Sequence, residues 1–448
     1  MIEAGLTSFK DKHIMLLQGP IGPFFHRFAR DLEAVGAQVH KVNFNGGDWL
    51  FYPANSILFR GKMEDWPEFF EQSLIRHDID IVMMFGDCRP LHKTAHQIAQ
   101  LRGIEVGVFE EGYVRPDFIT LERFGANDNS LIPRECEHYH GLMLPELPPV
   151  REVGKPFWYG ALWANLYYLA STLLWPWFWR YQHHRPLNLF ELWPWIRSLW
   201  RKWRYAIVQR HLLHDLVTNC SGRYFLVPLQ VNNDAQIHFH SGFASVKGFI
   251  QYLIHSFAVY APQDTILVIK HHPMDRGYHD YTRFIATVSR ENGVEARVHY
   301  VHDLHLPTLF DHARGVVVIN STVGLSAINH DAPTKVCGKA LYDMPGLTYQ
   351  GSLDKFWKEA QSHIINQSLL KKFMNYLITH TQINGSFYKR VKVPDSHAGV
   401  CWNMNRVHRE PLIKSPNVLI HSAASSKLRF PLDPSIRRAL RGTQAKRT

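Results

Sequence analysis

One polar stretch combines a lysine and two histidines directly after an apolar run. The run covers residues 265–269, and the stretch consists of Lys270, His271, His272 and Pro273. The proline restricts the backbone just beyond the second imidazole. A lysine beside an imidazole can neutralise a phosphate group or protonate a leaving group. An ordinary loop turn is the alternative interpretation.

A second polar stretch is rich in hydroxyl groups. It follows the apolar run 315–319 and contains Ser321, Thr322 and Gly324 at the start of a helical pattern. Hydroxyl donors and the unpaired backbone N–H groups of a helix N-terminus favour an anion. Helix capping by Ser321 or Thr322, without any ligand, is the alternative. Together with the histidine-containing stretch, the pattern predicts a phosphate-binding site.

Two adjacent carboxylates follow a third apolar run. Glu110 and Glu111 come directly after residues 105–109. Neighbouring side chains of an extended chain point to opposite sides, so one carboxylate can face a ligand while Arg115 or a backbone amide holds the other. Such a carboxylate could stabilise an oxocarbenium-like centre or attack it as a nucleophile. A solvated turn with a local salt bridge is the alternative.

Alternating strand and helix patterns must position these three stretches. Short apolar runs separated by helical patterns occupy residues 13–109, and the same alternation returns in residues 224–320. The alternation predicts an α/β protein with two doubly wound, mainly parallel sheets. Two such units facing each other would bind ligands in a crevice at the carboxyl ends of their strands. Loops 18–23 and 86–90 would line the same crevice.

The predicted domain order has four parts. Residues 1–150 form an N-terminal Rossmann-like domain, and residues 151–215 form a tryptophan-rich helical insert. Residues 216–400 form a C-terminal Rossmann-like domain that contains the predicted phosphate-binding site, and residues 401–448 form a C-terminal segment with a basic tail. The tail is either solvated and disordered or attracted to an acidic lipid leaflet.

The insert contains nine of the thirteen tryptophans of the chain, and its residues 157–179 carry no charge. Tryptophan and tyrosine concentrate at the membrane interface, so a pair of amphipathic helices on an anionic leaflet is the favoured interpretation. A buried helix between two domains and a membrane span are the alternatives.

Composition excludes several classes of protein. The 448 residues carry a formal net charge of +11, which suits nucleic acid, an anionic membrane or an anionic metabolite. The glycine motifs of dinucleotide-binding and P-loop proteins do not occur, and no RNA-binding fingerprint supports a nucleic-acid partner. Five cysteines without a CxxC pair argue against a zinc ribbon or a disulfide framework and suit a reducing compartment. The N-terminus lacks the long apolar core of an export signal, which predicts a cytosolic start.

Four motifs occur in one order along the chain: residues 109–113 (FEEGY), 227–234 (VPLQVNND), 270–273 (KHHP) and 320–324 (NSTVG). In this order, with the aromatic insert between them, they resemble the capsule polysaccharide biosynthesis proteins of Gram-negative bacteria, of the KpsS/LipB type. The resemblance covers roughly residues 12–400. It implies a GT-B-like pair of Rossmann-type domains and a retaining β-Kdo glycosyltransferase.

The resemblance also implies substrates and partners. The donor would be CMP-Kdo and the first acceptor lyso-phosphatidylglycerol, at the cytosolic face of the inner membrane. A companion β-Kdo transferase and the capsule export machinery would then act on the product. No cofactor is expected, and because a cationic pocket can replace a divalent ion, neither is a metal.

The resemblance assigns roles to the candidate residues. Glu111 matches the acidic position of related β-Kdo transferases, where those proteins have aspartate, so either Glu111 or Glu110 could be the reacting carboxylate. His272 matches the histidine of their His-Pro motif. The residues expected on the phosphate and nucleotide side are Lys270, His271, Pro273, Ser321, Thr322 and Gly324. The residues that could recognise cytidine or the Kdo hydroxyls are Gln230, Asn232 and Asp234.

Two other functions fit the same residues. The chain could be a non-catalytic component of capsule export that binds lipid-linked polysaccharide. It could also be a transferase that uses another CMP-sugar, such as CMP-sialic acid.

Overall fold

The computed structural model describes residues 5–143, 145–181, 192–231, 243, 245–394 and 396–402. The chain divides into two compact units. Unit 1 comprises residues 1–131, 145–188 and 375–448, and unit 2 comprises residues 132–144 and 189–374. The tryptophan-rich segment is therefore divided at residue 188 between the two units.

The strands are β1 (His13–Leu16), β2 (Gln38–Asn43), β3 (Ser56–Leu58), β4 (Ile81–Phe85), β5 (Glu105–Glu111), β6 (Phe118–Arg123), β7 (Tyr224–Pro228), β8 (Ile266–Lys270), β9 (Val298–Val301), β10 (Gly315–Val318), β11 (Thr334–Val336), β12 (Gln382–Gly385) and β13 (Val400–Cys401). The helices are α1 (Phe24–Ala34), α2 (Gly46–Phe51), α3 (Trp66–Arg76), α4 (Pro90–Leu101), α5 (Glu137–His140), α6 (Phe157–Leu173), α7 (Leu192–Val208), α8 (Leu212–Thr218), α9 (Val246–Tyr260), α10 (Thr282–Glu291), α11 (Leu306–Asp311), α12 (Val323–Asn329), α13 (Leu353–Glu359) and α14 (Gln367–Thr381).

Unit 1 is built on an eight-stranded sheet with the order β13-β12-β6-β5-β4-β1-β2-β3. The five strands from β5 to β3 are parallel, whereas β6 pairs antiparallel with β5, β12 with β6, and β13 with β12. Counted in chain order, the parallel part has the strand order 3-2-1-4-5 that is typical of a Rossmann-type half.

Alternating side chains explain why the parallel strands of unit 1 read as continuous apolar runs. Ile14, Met83 and Phe109 pack in a cluster with α1 on one face of the sheet. Met15 and Val82 pack with α3 and α4 on the other face. A strand covered on both faces has to be apolar at every position, because successive residues point to opposite sides.

Unit 2 repeats the same strand order in a five-stranded, wholly parallel sheet, β11-β10-β7-β8-β9. A cluster centred on Phe225, Val227, Ile269 and Trp357 fills one face. The predicted α/β fold with two doubly wound, Rossmann-type sheets is confirmed.

Each sheet has a point where the strand order reverses. It lies between β1 and β4 in unit 1 and between β7 and β10 in unit 2. Connections leave in opposite directions at such a point and open a space beyond the carboxyl ends of the strands, where ligands of this fold class bind. The loops at these two points are therefore the expected ligand-binding positions.

Candidate active site

Glu110 and Glu111 are the last two residues of β5, not loop residues as the sequence indicated. Pairing with β6 extends the strand, since Glu110 lies opposite Thr120 and Glu111 opposite Ile119. The expectation of one carboxylate held by a backbone amide fits Glu110, whose Oε1 accepts from the Glu111 N–H at 3.0 Å. Arg115 instead donates to the carbonyl of Gly112 at 3.2 Å.

The two carboxyl groups differ in their surroundings. Glu111 Oε1 accepts a hydrogen bond of 2.9 Å from the hydroxyl of Tyr388. Burial raises the pKa of Glu110 to about 7, and the nearby charges of Glu111 and Asp87 add to the rise. Glu110 can therefore hold or release a proton near neutral pH, as a general acid or base must.

A glutamine and an arginine, which the sequence did not single out, meet at the reversal point of unit 1. Gln18 follows β1, Arg89 follows β4, and the Arg89 Nη1 donates to the Gln18 Oε1 at 2.7 Å. Both lie in loops that the sequence placed at the ligand-binding edge. The sequence gave no indication that these two side chains meet, because they are 71 positions apart.

In unit 2, the Lys-His-His-Pro stretch begins at the end of β8 as predicted. Lys270 is its last residue and is buried, and burial lowers the pKa of its ammonium group while the charge of Asp303 partly opposes the shift. Pro273 is exposed and begins a 3₁₀ turn, Pro273–Asp275.

The two histidines occupy different environments. His271 is 2% exposed and hydrogen-bonds through Nδ1 to the Tyr300 hydroxyl at 2.6 Å. Burial, with a smaller contribution from His302, lowers the pKa of His271 to about 3. His272 is half-buried, and its Nδ1 accepts the backbone N–H of Met274 at 3.2 Å. A neutral His272 ring therefore carries its proton on Nε2, where it can donate a hydrogen bond.

Residues in and directly after β9 and α7, which the sequence did not single out, pack around the buried histidine. The rings of His302 and Tyr205 stack with centroids 3.5 Å apart. Gln209 accepts from the His302 N–H at 2.9 Å and donates to the Tyr300 carbonyl at 3.2 Å. His271 is thus part of a packed aromatic cluster at the end of the sheet.

The hydroxyl-rich stretch lies at the reversal point of unit 2. Ser321 Oγ accepts the Val323 N–H at 3.3 Å, which corresponds to the capping alternative, while Thr322 makes no capping hydrogen bond. A side-chain carbon at Gly324 would lie 2.2 Å from the Tyr342 hydroxyl, which bonds the Ser321 carbonyl. Gly324 therefore serves close packing beneath this loop.

Gln230 contacts the residue directly before this stretch, since its Nε2 donates to Asn320 Oδ1 at 3.0 Å. Asn232 and Asp234, the other residues expected to recognise cytidine or sugar hydroxyls, lie outside the described residues. Within the described part of the chain, no group of three or more His, Cys, Asp or Glu residues is arranged to hold a metal ion.

Helix α6 of unit 1 exposes most of its large apolar side chains and buries only a narrow face. Tyr167, Ala170 and Ser171 are buried, and Ser171 Oγ accepts the Gly47 N–H of α2 at 3.0 Å. A side-chain carbon at Gly46 would lie 2.4 Å from the Ala170 carbonyl, so glycine allows this close approach. The exposed large apolar residues of α6 are Phe157, Trp158, Tyr159, Leu162, Leu166, Leu169 and Leu173.

Helix α7 of unit 2 shows the same exposure beside a well-anchored polar face. Arg201 Nη1 donates to the carbonyl of Arg276 at 2.7 Å and its Nη2 lies 3.3 Å from Asp280 Oδ2. Arg197 donates to the carbonyl of Gly277 at 2.6 Å. The exposed large apolar residues of α7 are Trp193, Ile196, Leu199, Trp200, Trp203, Ile207 and Val208. Among the described helices, none combines the length and the apolar character that crossing a bilayer requires.

Comparison with known proteins decides the family. Residues 80–388 match the family described as capsule polysaccharide biosynthesis protein. The chain belongs to the capsule polysaccharide biosynthesis protein family. It is 41% identical over 389 residues to the capsule polysaccharide export protein KpsS of Escherichia coli, covering 84% of this chain and 97% of that protein.

The chain is also similar to a second relative and to one solved structure. The chain is 40% identical over 395 residues to the capsule polysaccharide modification protein LipB of Neisseria meningitidis serogroup A, covering 86% of this chain and 94% of LipB. The KpsC β-Kdo 2,7 transferase of Thermosulfurimonas dismutans aligns at a TM-score of 0.39 and 14% identity, over 84% of this chain and 92% of that one. The family resemblance inferred from the motifs is confirmed.

Proposed function

We propose that this family member is a retaining glycosyltransferase that moves Kdo from CMP-Kdo to lyso-phosphatidylglycerol. The observation that carries the proposal is the pair of carboxyl groups at the carboxyl end of β5, with Glu111 held by Tyr388 and Glu110 titrating near neutral pH. Retention of configuration at an anomeric carbon requires two successive displacements. In the first, a carboxylate of the enzyme usually acts as the nucleophile.

Glu111 is the proposed nucleophile. In the first step, its carboxylate oxygen bonds to the anomeric carbon while the bond from that carbon to the phosphate oxygen breaks, and CMP leaves with the electron pair. In the second step, the acceptor hydroxyl oxygen displaces Glu111 and passes its proton to a base. Glu110 suits the proton transfer better than the attack, because a carboxyl group with a pKa of about 7 is partly protonated at neutral pH.

Residues of unit 2 are proposed to stabilise the departing CMP. Lys270 supplies positive charge, and His272 supplies an Nε2–H donor, at the end of β8. Charge stabilisation has its largest effect where charge develops in the transition state. His271, Pro273 and the 320–324 loop then shape the phosphate side, and Gln230 contacts the nucleotide. The proposed mechanism uses no metal ion and no cofactor.

The exposed faces of α6 and α7 are proposed to bind the cytosolic face of the inner membrane, which supplies the lipid acceptor. Tryptophan, tyrosine and leucine provide the apolar contact, and Lys202 and Arg204 on exposed positions of α7 provide attraction to anionic lipid. The product would pass to a companion β-Kdo transferase and the export machinery.

The test is transfer by the purified full-length chain from CMP-Kdo to a fluorescent lyso-phosphatidylglycerol, with the product identified by mass. We expect Glu111→Gln and His272→Ala to reduce turnover by a factor on the order of a thousand or more, because each removes a group that acts on the reacting atoms. The matched controls are Glu152→Gln and His214→Ala, which change exposed residues and should retain wild-type rates.

Other outcomes point to the other functions. Folded protein that binds lipid-linked polysaccharide but forms no Kdo-lipid would favour the export role that the name of the Escherichia coli relative describes. Faster transfer from CMP-sialic acid than from CMP-Kdo would reassign the donor. Normal turnover by the Glu111 variant would move the nucleophile to another residue.

A further inference from the structure

Gln18 is held in one orientation by a buried polar network behind it. It is 4% exposed, and its Nε2 lies within hydrogen-bond distance of the Tyr167 hydroxyl at 3.1 Å, the Tyr181 hydroxyl at 3.2 Å and Asp48 Oδ2 at 3.2 Å. All three groups can accept from the amide nitrogen. The amide oxygen is therefore directed away from the network.

That oxygen holds Arg89. The Nη1 of Arg89 donates to Gln18 Oε1 at 2.7 Å, and the guanidinium carbon of Arg89 lies 5.4 Å from the centroid of the Phe85 ring. A guanidinium carries five N–H donors and a full charge, but Gln18 is neutral and takes one donor. Among the described residues, no carboxylate oxygen lies within ion-pair distance of Arg89. The adjacent Asp87 instead accepts from the Ala126 N–H at 3.2 Å.

Arg89 lies on the loop next to the candidate carboxyl groups. The Glu110 Oε2 lies 3.6 Å from the position that a side-chain carbon would take at Gly86, in the loop that carries Arg89. The charge of Arg89 also acts on the Glu110 carboxyl and opposes the rise of its pKa. A positive charge, the two carboxyl groups and the reversal point of the sheet thus share one edge of unit 1.

We propose that Arg89 binds an oxyanion of a substrate in unit 1, through N–H groups that Gln18 does not occupy. The oxyanion is the carboxylate of an acidic sugar or the phosphodiester of a lipid headgroup, and either fits a guanidinium in two parallel hydrogen bonds. This inference rests on the proposed function, in which both substrates are anions. An anion that approaches two glutamate side chains is repelled, and a cation on the same edge offsets that repulsion.

The hydrogen bonds around Gln18 fix the position of Arg89 before a ligand binds. An unsupported surface arginine samples many rotamers, whereas this one is anchored by a side chain that three hydrogen-bond partners orient. Holding a charged group before the ligand arrives lowers the entropy lost on binding. Lysine, a single point charge, cannot reproduce the two-pronged contact.

The experiment compares the full-length wild type with Arg89→Gln, Arg89→Lys and a control, Arg30→Gln, which removes the same charge from an exposed position of α1. Initial rates give KM for CMP-Kdo and for lyso-phosphatidylglycerol separately. Fluorescence titration gives the affinities for CMP-Kdo and for CMP alone, which lacks the sugar carboxylate. Thermal unfolding checks that each variant is folded.

Arg89→Gln should raise one KM at least tenfold, with Arg89→Lys intermediate and Arg30→Gln unchanged. If the anion is the sugar carboxylate, affinity falls for CMP-Kdo and not for CMP. If the anion is the lipid phosphodiester, only the KM for lyso-phosphatidylglycerol rises. Unchanged KM values in an active, folded Arg89→Gln variant would overturn the proposal while leaving the transferase function intact. An inactive wild type would instead refute the proposed function itself.

Discussion

Burial gives Glu110 a testable effect on stability. Its pKa is raised from 4.5 in the free side chain to about 7 in the folded chain, so between these values the folded state binds more protons than the unfolded state. The stabilisation that protonated Glu110 contributes is therefore complete below about pH 4.5 and is lost as the pH rises through 7. Glu110→Gln removes this dependence. We expect the free energy of unfolding of the wild type, relative to Glu110→Gln, to fall by about 2–3 kcal/mol between pH 4.5 and pH 8.

Urea unfolding of both proteins across this pH range measures the difference. Glu152→Gln, at an exposed position, is the control and should run parallel to the wild type. A Glu110→Gln curve that is also parallel to the wild type would show that Glu110 titrates as a free carboxyl group.

The sequence pointed to the candidate residue types but not to the side chains that contact them. Glu111 and His272 are recognisable because charged or titratable groups directly follow apolar runs. The partner of Glu111 is Tyr388, which is 277 residues away and follows β12. Spacing along the chain contains no information about such a contact, because it depends on how distant strands pair.

Apolar composition explains which strands could be predicted. The central strands β4, β5, β7 and β8 have five to seven residues and are apolar enough to recognise. Strand β13 has two residues, and β12 reads QING, which carries no strand pattern. Short edge strands form because neighbouring strands offer hydrogen-bond partners, so their own sequence needs little preference.

Helix α7 connects the aromatic surface of unit 2 with the loop after the Lys-His-His-Pro stretch. Arg201 bonds the carbonyls of Arg276 and His279 and pairs with Asp280, so its removal leaves this loop without three contacts. We expect Arg201→Ala to lower the free energy of unfolding by about 1–3 kcal/mol, since hydrogen bonds from charged groups are worth that much. The same change should raise the KM for CMP-Kdo several-fold.

Hydrogen exchange of the amides in residues 276–281 provides the readout for the loop. Exchange should become faster in Arg201→Ala and remain unchanged in Lys202→Ala, which alters the exposed neighbouring residue. Equal exchange in both variants would mean that the loop is held by Arg197 and its own turns.

At the scale of the whole chain, the two units share more than their strand order. Each has a glutamine two residues after its first strand, Gln18 after β1 and Gln230 after β7. Each glutamine bonds a residue that follows the fourth strand of its unit, Arg89 or Asn320. The pairing differs in charge, since unit 1 presents a guanidinium and unit 2 an amide. The same architecture therefore offers an anion contact in unit 1 and a neutral polar contact in unit 2.

Each unit also carries its own exposed aromatic helix, so the proposed membrane attachment should be divided between them. Replacing two large apolar residues by serine on α7 (Trp200 and Trp203) should weaken liposome binding by on the order of 3 kcal/mol, roughly 100-fold. A pair on α6 (Leu162 and Leu169) should have a similar effect. Free energies add when two sites act independently, so a combined variant that loses close to the sum of the two would show that each face binds the membrane on its own.

Co-sedimentation with vesicles containing anionic lipid measures these effects, with and without high salt. The matched control replaces Met143 and Ile364 by serine, because these exposed apolar residues lie outside both helices. Its binding should equal that of the wild type. Weaker binding in high salt would indicate that basic side chains contribute beside the aromatic ones. If the control loses as much binding as the helix variants, or if neither helix variant loses any, attachment through these two faces is wrong.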